Sequence, residues 1–394
     1  TATIRNSSSQ ILGLYGRKQS SIFPSSGLSI DDSFFSIVDE NSEGKAYVGI
    51  YTPALTTQAT QTNIYSALYQ GPKFFTKHEE MDPWWTNICY FGSMRELGTS
   101  WGLINENVSR KLQFLHQKYN ISKDKIAYPP HIDSIQELTS RLASADVVST
   151  MEKLSISLQG DEKDKYIERF VLATSIIEVG IDIPRLSLMT ILNQPKNTSQ
   201  YIQTSGRVGR TKDKPGLIFT VYSPLRPRDR SHYEKFTSYH QRLHSLVEPT
   251  SVTPFSDAAI SKLISGAFFM YLSVYKPIDF FDDNQFSDFP EKEFEEFSEI
   301  LKRRNDLVIE DLGLTNNLEF YLSGIKRKWE SFNPITYSDE MAKRTDDGAP
   351  LILQAGDWRE SIHRQSYLVP TSMRSVDKTA SAEIISPIEE LDDD

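Results

Sequence analysis

Short apolar runs alternate with longer amphipathic stretches over roughly the first 225 residues. The runs share a high content of β-branched, aromatic and aliphatic side chains, which is typical of buried strands; they are residues 45–51, 87–91, 171–174, 186–192 and 217–222. Apolar residues then recur at three- and four-residue spacing from Leu97 to Leu115, which predicts an amphipathic helix packed on a sheet. This alternation predicts an α/β fold, a parallel sheet with crossover helices.

Beyond Pro224 the pattern becomes mainly helical. Apolar periodicity predicts helices over residues 233–246, 258–275 and 294–307, and Asp257 is predicted to cap the second of them. The stretch from 351 to 385 alternates short apolar runs with turns and predicts no definite element.

A single cysteine, Cys89, excludes an internal disulfide framework and favours a reducing, cytoplasmic setting. Its position inside an apolar run predicts core packing rather than reactivity. The apolar stretch from Leu263 to Val274 is interrupted by small polar residues and, by length, predicts no membrane span. At 394 residues the chain is long enough for two or three domains.

Charge is segregated along the chain, whose formal net charge is −10. Between Ser205 and Lys235, eight basic residues face three acidic ones, whereas between Asp279 and Glu299 nine acids accompany only Lys292. The basic stretch allows an anionic partner in spite of the net charge. The acidic stretch is interpreted as a solvated helix face, with a basic partner as the alternative, and the acidic terminus as disordered.

The string Gln203-Thr204-Ser205-Gly206-Arg207-Val208-Gly209-Arg210 is the strongest chemical signal. Arginines three residues apart at a helix end project to the same side, so both can grip one phosphate chain. Taken alone, the string would be read as a basic surface turn. About twenty residues earlier lies Ala173-Thr174-Ser175-Ile176-Ile177-Glu178-Val179-Gly180-Ile181-Asp182-Ile183-Pro184, so Thr174 and Asp182 are expected at the carboxyl ends of strands, where α/β sheets bind ligands.

In this order and spacing, the two strings resemble motifs V and VI of superfamily 2 helicases, which are nucleic-acid-dependent NTPases with two RecA-like domains. The resemblance implies that Arg207, Arg210 and Gln203 face the terminal phosphates, with the arginines acting as fingers. It also implies that Asp182, Gly180 and Gly206 bind the nucleotide and that Thr174 contacts the nucleic-acid backbone. A helix cap or turn is the alternative role for Asp182.

Two further segments resemble earlier motifs of the same superfamily. Thr1-Ala2-Thr3 resembles motif III, which implies that Thr1 and Thr3 couple the two RecA-like domains. Phe91-Gly92-Ser93-Met94-Arg95-Glu96-Leu97 resembles motif IV, where a helix N-terminus meets the nucleic-acid backbone. The resemblance implies that Ser93 and Arg95 bind nucleic acid; an ordinary surface ion pair is an equal alternative for Arg95.

The sequence contains no G-x-x-x-x-G-K-[ST] loop, the phosphate cradle of P-loop enzymes. Asp161-Glu162-Lys163-Asp164 superficially matches the acidic magnesium box, but it follows a polar turn between motifs IV and V and is interpreted as a helix start. No metal site is predicted, and the ligands of Mg bound with ATP are expected on a missing first RecA-like domain. The economical interpretation is the C-terminal part of a larger polypeptide; a split enzyme is the alternative.

The predicted domains are residues 1–40, the end of the first RecA-like domain with a linker; 41–225, the second RecA-like domain; 226–340, a helical accessory domain; and 341–394, an extension.

Three strings, residues 137–141, 249–255 and 369–376, resemble the helicase subunit of DISARM anti-phage systems. This implies ATP-dependent DNA translocation beside a partner subunit and favours DNA over RNA. The competing hypothesis is a non-catalytic nucleic-acid-binding or adaptor module that keeps the RecA-like fold.

Overall fold

The computed structural model describes residues 4–23, 34–35, 37–39, 41–130, 132–139, 142, 144–160, 164, 167–178, 182–212, 214–249, 252–276, 288–312, 316–331, 350–354 and 365–370. The chain forms two compact units. The first comprises residues 1–5 and 22–249, and the second comprises residues 6–21 and 250–394.

A six-stranded sheet forms the centre of the first unit. Its strands are β1 (Lys45–Tyr51), β2 (Asn87–Phe91), β3 (Ile135–Leu138), β4 (Phe170–Ala173), β5 (Leu188–Leu192) and β6 (Gly216–Tyr222). The order across the sheet is β1-β6-β5-β2-β4-β3, and every neighbouring pair is parallel. The predicted α/β RecA-like architecture is therefore confirmed, and β3 is a strand that the sequence pattern did not predict.

Helices cover both faces of this sheet because parallel strands are connected by crossovers. They are α2 (Thr57–Gln70), α3 (His78–Trp85), α4 (Met94–Leu103), α5 (Ser109–Tyr119), α6 (Ser144–Leu154), α7 (Thr198–Ser205), α8 (Pro227–Glu234) and α9 (Phe236–His240). A π turn at Ile104–Val108 joins α4 to α5, so the predicted helix around Leu97–Leu115 is confirmed as one continuous helical stretch.

Strand β2 is apolar at consecutive positions because both of its faces are buried. Ile88 and Tyr90 enter the core on one face, with Tyr201 of α7, whereas Cys89 and Phe91 enter the core on the other. Cys89 is fully buried, as predicted. Burial raises the pKa of its thiol far above the ordinary range, which makes it an unreactive core residue.

The second unit is mainly helical, as predicted. Its elements are α1 (Ser7–Tyr15), α10 (Asp257–Tyr275), α11 (Glu291–Leu312), α12 (Leu318–Glu330) and the parallel pair β7 (Ile352–Gln354) and β8 (Tyr367–Val369). Its core joins the buried face of α10 to aromatic residues such as Phe297 and Trp329.

Helix α10 corrects two details of the sequence analysis. The cap is Ser256, whose hydroxyl accepts from the Ala259 amide at 3.4 Å, while Asp257 is the first helical residue and accepts from the Asn317 amide at 3.0 Å. The helix has 19 residues and is, by length and composition alone, long and apolar enough to cross a membrane, whereas the prediction considered only the shorter stretch from Leu263 to Val274. Because Phe268 and Leu272 pack in the core of the second unit, it is accounted for as the core helix of a folded domain.

The compact units differ from the predicted domain bounds near residue 225. Residues 226–249 belong to the first unit. Tyr239 of α9 joins the sheet core, and its hydroxyl accepts from the Gln194 side chain just after β5, at 3.1 Å. Residues 6–21, placed by the sequence analysis before the second RecA-like domain, cluster instead with the second unit. The predicted boundary therefore fell before helices that complete the sheet domain.

Candidate functional site

The loop from α7 to β6 fixes the positions of Arg207 and Arg210. Between the arginines, Gly209 donates its amide to the Leu186 carbonyl at 2.9 Å, next to the start of β5. Gly209 has φ +59°, and a Cβ there would lie 2.3 Å from the backbone of Gly216, the first residue of β6. Only glycine permits both the left-handed conformation and this close approach, so the loop is held tightly against the amino ends of β5 and β6.

The two arginines have different surroundings. Arg210 is partly exposed and forms an ion pair with Asp182, with 3.0 Å between Nη1 and Oδ1. Arg207 is more enclosed, and its Nη2 donates to the backbone carbonyl of Glu178. Arg207 is thereby oriented by the backbone, while Arg210 is oriented by a solvent-exposed carboxylate.

Positive charge accumulates around these arginines. Burial lowers the pKa of Arg207, and the neighbouring Arg210 lowers it further, against the smaller opposing effects of Asp182 and Glu178. Lys45, at the start of β1, belongs to the same cluster: burial and then Arg210 lower its pKa, and its Nζ donates to the Ser205 carbonyl at 3.4 Å. We call Lys45, Arg207 and Arg210 the cationic cluster. Because Arg210 disfavours the charged forms of both Lys45 and Arg207, an anion is favoured at this place.

Glu178 links this cluster to the end of β4. It ends a 3₁₀ turn, Ser175–Glu178, that begins directly after Thr174, and its carboxylate accepts from the Tyr90 hydroxyl at 3.0 Å and from the Gln200 amide at 2.9 Å. Glu178 and Lys45 are two residues of the site that the sequence pattern did not predict. The position of Glu178 within the motif V string was a signal, whereas Lys45 becomes recognisable only when β1 pairs with β6.

A second group of predicted residues lies at the carboxyl ends of the strands. Thr174 follows β4 directly, and its amide donates to Leu138 at the end of β3, at 3.3 Å. Ser93 follows β2 and caps α4, because its hydroxyl accepts from the Glu96 amide at 3.4 Å. The Arg95 side chain is exposed and makes no ion pair within the part of the chain that the structure describes, which leaves its guanidinium accessible.

The Glu96 side chain on α4 bonds residues that follow two other strands, β5 and β6. Its Oε1 accepts from the Asn193 amide after β5, at 2.9 Å, and from Arg226 after β6, at 2.6 Å. Asn193 has φ +64°, a conformation that asparagine tolerates better than most residues. The ends of β2, β5 and β6 are therefore tied together by hydrogen bonds that the sequence analysis did not predict.

The predicted residues separate into two groups at opposite ends of the strands. The expectation that Asp182 lies with Thr174 at the carboxyl ends is wrong, because Asp182 pairs with Arg210 beside the amino ends of β5 and β6. Gln203 and Gly206 lie near the arginines on α7 and at its C-cap. Gly180, Thr1 and Thr3 lie outside the described residues, so their predicted roles stay predictions.

No group of three or more His, Cys, Asp or Glu side chains within the described residues is placed to hold a metal ion. The cationic cluster is chemically suited to phosphate oxygens, which accept from guanidinium and ammonium groups, and unsuited to Mg²⁺, which requires oxygen ligands. The cationic cluster thus has the chemistry to bind phosphate oxygens, and the expected location of the Mg ligands stays a prediction.

Part of this chain is similar to known helicases. Residues 111–212 match the family model of the helicase conserved C-terminal domain, a range that contains Thr174, Asp182 and both arginines. The chain is 40% identical over 270 residues to the DISARM protein DrmA of Bacillus paralicheniformis, covering 67% of this chain and 23% of DrmA. This chain carries the C-terminal half of a superfamily 2 helicase core.

The chain is also similar to more distantly related proteins. It is 24% identical over 172 residues to the ATP-dependent RNA helicase DDX50 of Homo sapiens, covering 44% of this chain and 21% of that protein. A crystal structure of the DUF1998 helicase MrfA bound to DNA is 15% identical with a TM-score of 0.41, covering 66% of this chain and 28% of that one. The chain spans less than a quarter of the length of DrmA and of DDX50.

Proposed function

We propose that this chain is the C-terminal part of an ATP-dependent helicase or translocase acting on nucleic acid, with DNA favoured over RNA, in the cytoplasm. The observation that carries the proposal is the cationic cluster. In it, the Glu178 carbonyl orients Arg207, and Arg210 is left partly exposed. Similarity to DrmA, a DISARM protein, supports a role in anti-phage defence beside a partner subunit and is the reason for favouring DNA.

The chain's own residues would divide the work between the two ends of the sheet. At the amino ends, Arg207 and Arg210 would bind the terminal phosphates with Gln203, and their charge would stabilise negative charge on a transferring phosphoryl group. ATP with Mg, held together with a first RecA-like domain in cis, would supply the free energy of hydrolysis. For Asp182 to bond a ribose hydroxyl, it would have to share or leave its ion pair with Arg210.

At the carboxyl ends, Thr174, Ser93 and Arg95 would contact the phosphodiester backbone of the strand. The Ser93 hydroxyl is engaged as a helix cap, so the free amides of the first turn of α4 and the exposed Arg95 guanidinium are the groups that it presents to a phosphate. The 3₁₀ turn from Thr174 to Glu178 would connect the strand contact to the acceptor of Arg207.

The test uses the full-length protein and measures nucleotide turnover with and without single-stranded DNA. Arg207→Ala and Arg210→Ala are each expected to lower turnover by about 10³–10⁵-fold, the range for arginine fingers, while nucleotide-free strand affinity stays close to that of the unaltered protein. Arg230→Ala, which removes an exposed arginine paired with Glu234, is the matched control and should leave turnover unchanged. Equal loss of nucleotide-free strand binding in both finger variants would refute the assignment.

Thr174→Ala tests the other edge. It is expected to reduce the stimulation of turnover by DNA, and unaltered stimulation would contradict the role of Thr174. If the unaltered full-length protein binds strands but turns over no nucleotide, the adaptor hypothesis replaces this proposal.

A further inference from the structure

Helix α5 presents a basic and aromatic surface that none of the motifs uses. Residues Ser109–Tyr119 contain no aspartate or glutamate. Their outer side carries cations and aromatic rings, which we call the α5 patch: Arg110, Lys111, Phe114, Lys118 and Tyr119. In a chain of net charge −10, this helix with three cations and no acid is a local region of positive charge that attracts anions.

The members of the α5 patch contact one another. The Lys111 ammonium lies 5.0 Å from the centre of the Phe114 ring, and the Lys118 ammonium lies 5.9 Å from the same ring and 5.1 Å from that of Tyr119. The rings are nevertheless open to solvent, with Phe114 51% and Tyr119 62% exposed. Exposed rings flanked by ammonium groups offer both a flat apolar face and phosphate-binding charge.

The opposite side of α5 is firmly anchored. Leu112 is fully buried in the sheet core, and the His116 imidazole bonds the Gln70 side chain of α2 at 2.8 Å. The patch therefore sits on a rigid element of the first unit, and its exposed side chains have no part in that packing.

The segment after α5 continues the same chemistry. Lys123 is exposed, Lys125 is half-buried, and Tyr128 is 74% exposed. The acids nearby are Glu106, one turn before α5, and Asp124. Cations thus outnumber acids along the whole stretch from 106 to 128, and three exposed aromatic rings are interspersed among them.

We propose that the α5 patch binds single-stranded nucleic acid, with Lys111, Lys118 and Arg110 on phosphates and with bases stacked on Phe114 and Tyr119. Backbone-tracking cations combined with stacking rings are the usual composition of single-strand binding surfaces. An acidic peptide would match the charge but would have no use for the exposed rings. About 30 Å of helix separates Phe114 from Ser93 at 1.5 Å per residue, so this surface is separate from the residues of motif IV.

The first experiment measures nucleotide-free binding of fluorescein-labelled dT30 to the full-length protein by anisotropy at several salt concentrations. The double variant Lys111→Glu/Lys118→Glu is expected to weaken binding at least tenfold near 100 mM salt and to reduce the log–log salt slope by about 1.4, or 0.7 per phosphate contact. Lys77→Glu/Lys302→Glu, on exposed lysines elsewhere, makes the same change in net charge and should have little effect. An equal effect of both pairs would overturn the proposal.

The second experiment isolates stacking from charge. Phe114→Leu keeps apolar bulk but removes the ring and is expected to weaken dT30 binding about fivefold or more, whereas Phe114→Tyr should restore it. Equal affinity of the Leu and Tyr variants for dT30 would refute stacking on Phe114. Displacement of dT30 by polyglutamate, with the same dependence on Lys111 and Lys118 but none on Phe114, would show a surface for acidic protein instead.

Cross-linking gives a direct readout that is independent of affinity. A dT30 oligonucleotide carrying 5-bromodeoxyuridine should cross-link to the peptide containing Phe114 and Tyr119, also in a Thr174→Ala background. Cross-links confined to the peptides around Ser93 and Thr174 would refute the α5 patch while leaving the proposed function intact. Unchanged thermal unfolding of every variant is expected and shows that the substitutions leave the fold intact.

Discussion

Replacing Gly209 with alanine tests how tightly the arginine loop is held. Gly209 has φ +59°, and an added Cβ would lie 2.3 Å from both the Cα and the amide nitrogen of Gly216. The left-handed conformation costs an alanine roughly 1–2 kcal/mol, and overpacking against backbone that begins a strand adds about 1–3 kcal/mol. The combined loss of unfolding free energy is about 2–5 kcal/mol.

The assay is thermal unfolding, with the transition of the first unit identified by amide exchange of the β6 peptide. For a unit of this size, each 1 kcal/mol shifts Tm by about 2–4 °C, so Gly209→Ala should lower that Tm by roughly 4–20 °C. The matched control is Gly98→Ala inside α4, where no atom lies within 4 Å of the added Cβ. It should raise Tm slightly, because alanine favours helix by about 1 kcal/mol over glycine. A Gly209→Ala protein that unfolds within 1 °C of the unaltered one would refute the reasoning.

Two further predictions concern the stability of the first unit. Asp82→Ala should lower the unfolding free energy by about 3–5 kcal/mol in urea denaturation, because Asp82 Oδ1 accepts from the Leu158 amide at 2.9 Å and faces buried Arg185 at 3.5 Å. The control is Glu80→Ala, which breaks an exposed pair with Lys77 and should cost under about 1 kcal/mol. Equal losses in the two variants would contradict this account. Burial lowers the pKa of His240, whose Nε2 accepts from Tyr201 at 2.9 Å. The stability due to the neutral ring is thus complete above the unfolded pKa of about 6.5 and is lost as pH falls from there through the folded pKa. His240→Gln should show a shallower loss between pH 8 and 5, and an unchanged slope would count against that role.

Sequence pattern predicted the strands and the parallel sheet because both faces of each strand are apolar, as in Ile88, Cys89 and Tyr90. It missed β3, whose residues Ile135–Leu138 carry two polar side chains in four and follow a proline-bounded segment. It predicted Ala258–Tyr275 as a helix but chose the wrong cap, since Ser256 and Asp257 are both good capping residues and only the backbone conformation distinguishes them.

The candidate site was predictable only in part for a related reason. A motif identifies residues such as Arg207 and Asp182 but not the end of the strand at which they lie, which depends on how the chain returns between β4 and β5. Lys45 joins Arg210 through the pairing of β1 with β6, strands about 170 residues apart. Contacts of this kind arise from sheet topology, about which local periodicity carries no information.

Cys89, the chain's one cysteine, lies fully enclosed in the sheet with a raised thiol pKa. A thiol that is both inaccessible and protonated does not react with maleimides in the folded state. A cysteine introduced at an exposed position, such as Ser93 at one edge of the sheet or Phe114 on α5, would therefore be the single site of labelling without removal of the native residue. The fold thus provides a background in which fluorophores or spin labels can be attached one at a time.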